Sequence, residues 1–127
     1  MIIAYDFDGT LVENAYPEIG EPRKGDMHPT LIEDVIELQK WGHKVILWTC
    51  RTGVHLDQAV EFCKKKGLIF DAVNDDIEEQ KEMWSEKLEA WRETGQARKV
   101  FAHFYVDDRA VGLCDTKLLF LYGKGKV

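Results

Sequence analysis

Apolar and polar positions alternate between two periods along this chain. Met1 to Phe7 is a short apolar run with β-branched residues, the pattern of a buried strand. From Thr30 to Trp41, Leu31, Val35 and Leu38 recur at i, i+4 and i+7, which predicts an amphipathic helix stopped by Gly42. Val45 to Trp48 reads as a second buried strand. Leu56, Ala59, Val60 and Cys63 mark a second helix ended by Gly67, and Leu68 to Val73 a third strand. Ile77 to Arg92 is charged outside but carries Trp84, Leu88 and Trp91 on one face, a third helix stopped by Gly95. Val100 to Val106 is expected to form a fourth strand, a helical turn from Arg109 follows, and Lys117 to Tyr122 gives a fifth.

Repeated β-α-β alternation implies a parallel sheet with helices on both faces, in one domain spanning residues 1–127. Ligands of such sheets bind outside the carboxyl ends of the strands. The polar residues of this chain fall at those ends. The first strand ends in Asp6-Phe7-Asp8-Gly9-Thr10. Carboxylates at i and i+2 share one side of the pleat, while Phe7 between them faces packing. Gly9 permits a sharp turn and close approach to a ligand. A calcium loop also begins Asp-x-Asp-Gly, but counting from Asp6, its fifth and twelfth positions are Thr10 and Pro17, which do not fit. The second strand leads into Thr49-Cys50-Arg51-Thr52-Gly53, a hydroxyl, a guanidinium and backbone amides suited to phosphate. The fourth leads into Asp107-Asp108. Adjacent acids there repel unless a cation sits with them, and Mg²⁺ suits oxygen-only sites. Lys99 just ahead of that strand offers a fixed positive charge.

Taken in order, Asp6-Phe7-Asp8-Gly9-Thr10, Thr49, Lys99 and Asp107-Asp108 resemble the four motifs of the haloacid-dehalogenase superfamily, over Ile2 to about Leu121. The resemblance implies a Rossmann-like three-layer α/β/α fold with a five-stranded parallel sheet in order 5-4-1-2-3. It implies that Asp6 attacks phosphorus and that Asp8 acts as acid and then base. Thr49 would bind the phosphoryl oxygens, and Lys99 would steady nucleophile and phosphate. Mg²⁺ would be held by Asp6, the Asp8 carbonyl and Asp108, with Asp107 in close support. Gly9, Thr10, Cys50 and Arg51 would contact the substrate. The acid at position 8 points to phosphate-ester hydrolysis rather than dehalogenation.

The gaps between motifs are too short for a cap domain, leaving residues 16–22 as a flap near the site. The expected activity is hydrolysis of a small phosphomonoester such as a nucleotide or sugar phosphate. Alternatives are a polynucleotide-end phosphatase and a non-catalytic phosphoryl-binding protein on the same scaffold. A net charge of −6 and the lack of a basic stripe argue against nucleic acid as partner. No apolar run is long enough for a membrane span. Three scattered cysteines and no leader-like N-terminus point to the cytoplasm. The face with Trp84 and Trp91 is a candidate surface for a homo-oligomer, its alternative being packing on the sheet.

Overall fold

The computed structural model describes residues 1–83 and 100–108. Strand β1 (Ile2–Tyr5) leads to helix α1 (Leu31–Lys40), strand β2 (Lys44–Leu47), helix α2 (Gly53–Lys65), strand β3 (Ala72–Val73), helix α3 (Glu78–Met83) and strand β4 (Phe104–Val106). The four strands form one parallel sheet in the order β3-β2-β1-β4. This is the predicted α/β class and the predicted order for four of the five strands. The expected fifth strand, Lys117 to Tyr122, falls outside the described residues, as do the helical turn expected at Arg109 and the Trp84, Leu88 and Trp91 face suggested for an oligomer.

β1 is central because it is apolar on both sides. Ile3 and Tyr5 join Phe7, Val45 and Leu47 in a core beneath α1 and α2, which contribute Ile32, Val35, Leu38, Ala59 and Cys63. Ile2, Ala4 and Ile46 face the other way and pack with Ile77, Val100 and Ala102. Each Ile, Val, Leu or Phe among them, fully buried, contributes about 1.5–3 kcal/mol. β3 and β4 are shorter than the apolar runs that announced them. Leu68 turns into the core under the helices rather than entering the ladder, and Val100 and Ala102 pack on a sheet face before pairing starts at Phe104.

α1 begins at a capping box: the Glu33 N–H donates to Thr30 Oγ1 and the Thr30 N–H to Glu33 Oε2, both at 3.3 Å. Within α1, the buried Asp34 carboxylate reaches back to the incoming loop. It accepts the N–H groups of Asp26 (2.6 Å), Met27 (3.2 Å) and His28 (2.8 Å), and stands 2.7 Å from His28 Nδ1. No helix among the described residues is long and apolar enough to cross a membrane.

Candidate active site

The site forms where β1, β2 and β4 release the chain at their carboxyl ends. The ladder runs one step past β1, with the Asp6 N–H donating to the Val106 carbonyl at 3.0 Å. The chain then folds sharply. The N–H groups of Thr10, Leu11 and Val12 all converge on the Phe7 carbonyl at 3.0–3.2 Å. That turn is possible because Gly9 takes φ +84°, and a Cβ there would collide with the Asp108 carboxylate. The Gly9 carbonyl accepts a hydrogen bond from Arg23 Nη1, tying the turn to the far end of the flap loop.

Asp6, Asp107 and Asp108 come together here, each offering a carboxylate oxygen within 4.8 Å of the others. Three acids so close, oxygen-only and partly open to solvent, make a donor set that fits a hard divalent cation. The Asp6 carboxyl is pushed up to about 6. Burial is the main cause; the Phe7 N–H opposes it, and the charges of Asp107, Asp108 and Asp8 add to it. A cation would relieve that repulsion.

The Asp8 carboxylate is not part of the trio. Arg51 grips it with both sides of its fork, Nε to Oδ2 and Nη2 to Oδ1, each at 2.7 Å. The guanidinium is held more tightly to its proton by this bond, which outweighs its burial. Asp6, Asp8, Thr49, Cys50, Arg51 and Asp107 line one open cleft of about 820 Å³, together with Asn14, Tyr16 and Trp48.

Thr49 sits at the predicted place. Its hydroxyl accepts from the Arg51 N–H at 3.2 Å, which leaves its own hydrogen to donate. Its backbone N–H is fixed by Asn74 Oδ1 at 2.7 Å. Cys50 is exposed at the cleft. Two expected substrate contacts are placed otherwise. Thr10 is buried, and its hydroxyl accepts the Asp108 N–H at 3.0 Å, so it positions the backbone of the acidic trio. Arg51 is 2% exposed, with its donors turned to protein acceptors. Lys99 lies outside the described residues. Lys81, on α3, pairs with Asp75 at 2.7 Å and Glu78 at 3.3 Å.

Asn14, Tyr16, Arg23, Asp34 and Asn74 carry no periodic or motif signal, and only the fold reveals that they support or line the site. The flap's lack of a pattern is the one hint toward Tyr16.

A solved structure of a conserved protein from Bacteroides thetaiotaomicron is similar to this chain, with a TM-score of 0.74 and 38% sequence identity, covering 100% of this chain and 92% of that one. No family model matches the chain, and no curated protein matches it.

Proposed function

Taking as premise that the chain belongs to one family with the conserved Bacteroides thetaiotaomicron protein, we propose that it is a Mg²⁺-dependent phosphohydrolase of the haloacid-dehalogenase type, acting on a small phosphomonoester such as a nucleotide or sugar phosphate. One observation carries this reading. Asp6 meets Asp107 and Asp108, about a hundred positions away in sequence, at the carboxyl edge of adjacent parallel strands, with Asp8 in the same cleft.

In this reading an Asp6 carboxylate oxygen forms a bond to phosphorus as the ester P–O bond breaks. Asp8 gives a proton to the departing oxygen. It then takes one from the water whose oxygen displaces Asp6 and releases inorganic phosphate. The Thr49 hydroxyl donates to a phosphoryl oxygen, and Lys99, by resemblance, adds a fixed positive charge. Asp6, Asp108 and Asp107 would hold the Mg²⁺, which when bound supplies charge neutralisation for an anionic substrate approaching three acids. A protein that only bound phosphate would gain nothing from a second carboxylate at position 8. The net charge of −6 disfavours polynucleotide ends as substrate.

The test is hydrolysis of p-nitrophenyl phosphate with and without Mg²⁺, with Asp6→Asn as control. Turnover that needs Mg²⁺ and falls by about three orders of magnitude or more in Asp6→Asn is expected, since the variant lacks the nucleophile. If wild type is inactive toward this ester and toward a nucleotide and sugar-phosphate panel, yet binds Mg²⁺ and phosphate, the binding-protein alternative replaces the enzyme. Turnover unaffected by Asp6→Asn removes the covalent mechanism.

A further inference from the structure

Arg51 lines the cleft, yet its hydrogens are committed elsewhere. Nε and Nη2 hold the two Asp8 oxygens at 2.7 Å, and Nη2 also donates to the Glu18 carbonyl at 2.7 Å. Nη1 donates to the carbonyls of Pro17 at 3.3 Å and His55 at 3.4 Å. A guanidinium has five N–H groups, and these five bonds use them all. Its faces are covered too: the Phe7 ring centroid lies 5.0 Å from Cζ and the Tyr16 centroid 5.1 Å. Tyr16 in turn stands edge-on to His55, with ring centroids 5.4 Å apart.

We propose that Arg51 is a positioning residue rather than a phosphate ligand: it fastens the flap backbone at Pro17 and Glu18 to the Asp8 carboxylate, so that the flap over the cleft and the aim of the acid–base group form one device. Pro17 and Glu18 are themselves exposed, and nothing in their side chains explains why a buried fork should hold their carbonyls. Fixing flap and carboxylate to the same rigid plane does explain it. The arginine fork is required, because a lysine ammonium has three donors at one point and cannot span a carboxylate and two carbonyls together. The acid–base half of this inference rests on the proposed hydrolase function; the flap half does not.

Two measurements on wild type, Arg51→Lys and Arg51→Gln separate the possibilities, with Arg51→Lys retaining the charge should Arg51→Gln fail to fold. The first is hydrogen–deuterium exchange of the flap amides, which needs no activity. Exchange across residues 16–19 is expected to rise about tenfold or more in the variants while β1 and β2 stay protected. Unchanged flap exchange overturns the proposal.

The second is kcat/KM with two aryl phosphates, one with a strongly acidic leaving phenol and one with a weakly acidic phenol. An acidic phenol leaves as its anion and needs no proton, so phosphoryl transfer to Asp6 should barely change. The weakly acidic phenol needs Asp8, and its kcat/KM should fall by about a hundredfold. Parallel losses with both esters, with weaker inhibition by inorganic phosphate, would make Arg51 a phosphate ligand and overturn the proposal. A gain with the weakly acidic phenol would do the same by making the grip on Asp8 inhibitory. An inactive wild type bears on the hydrolase reading alone, and the exchange result then decides whether Arg51 fastens the flap.

Discussion

Asp6 is the residue on which opposing demands meet. The nucleophile of the proposed reaction must be ionised, yet burial and three neighbouring acids push the Asp6 carboxyl up to about 6, from an ordinary 3.8. The folded chain therefore holds a proton on Asp6 more readily than the unfolded chain does. Between about pH 4 and 6 the native state binds more protons, so this group's contribution to stability falls as pH rises through that window and is gone above it. The size is at most about 3 kcal/mol, less what solvent screens at a half-buried site. In thermal melts without divalent cation, the wild type is expected to lose stability relative to Asp6→Asn as pH rises from 4 to 7. Comparing the two proteins cancels the opposite trend of His43, whose burial, aided by the N-terminal amino group, holds its pKa below the ordinary value. A difference that stays flat across the window would show that Asp6 is not strained in this way. At the same scale, Arg51 shows what residue type conceals. A guanidinium two positions after Thr49 reads as a substrate contact, but only coordinates reveal that Asp8, Pro17, Glu18 and His55 already use its donors.

Among the elements, α1 is tied to more than the sheet. Its apolar stripe packs on β1 and β2, while Asp34 holds the loop that brings the chain back from the flap. Gly25 lies so close to that carboxylate that a Cβ would stand 2.8 Å from Asp34 Oδ2. Replacing Asp34 with Ala strips three N–H groups of their charged acceptor, and a loss of about 3 kcal/mol is expected in urea denaturation. Equal stability of Asp34→Ala and wild type would mean that water serves those groups as well. The helices were legible because their apolar positions recur every three to four residues and their ends carry Thr30, Gly42 and Gly67. Strand limits were not, because pairing depends on a neighbour. Leu68–Phe70 is as apolar as a strand but has no partner in the ladder, and pairing begins only at Ala72. The flap was legible merely as an interruption. Its anchors, Arg23 to the Gly9 carbonyl and Arg51 to Pro17 and Glu18, pair side chains with backbone, and no residue pattern encodes such contacts.

For the molecule as a whole, a ligand that needs the complete acidic trio should stabilise the complete fold. At a hundredfold excess over Kd, Mg²⁺ would add about 2.7 kcal/mol, a rise of roughly 10 °C in Tm for a chain of this size. Differential scanning calorimetry should show that rise in wild type and not in Asp108→Asn; a shift common to both would place any cation elsewhere. The order β3-β2-β1-β4 also has a temporal side. β1 pairs with β2 about forty residues on, but Ile3 finds Phe104 only after a hundred residues have been made. Contacts between distant positions close late, since the intervening chain must first give up its freedom. A nascent chain can thus build β1, α1, β2 and α2, with Asp6, Asp8 and Thr49 in place, and still lack two of the three acids. On the proposed function, chemical competence would arrive with the docking of residues 104–108, so an unfinished chain emerging from the ribosome would carry the nucleophile without the acids that seat its cation.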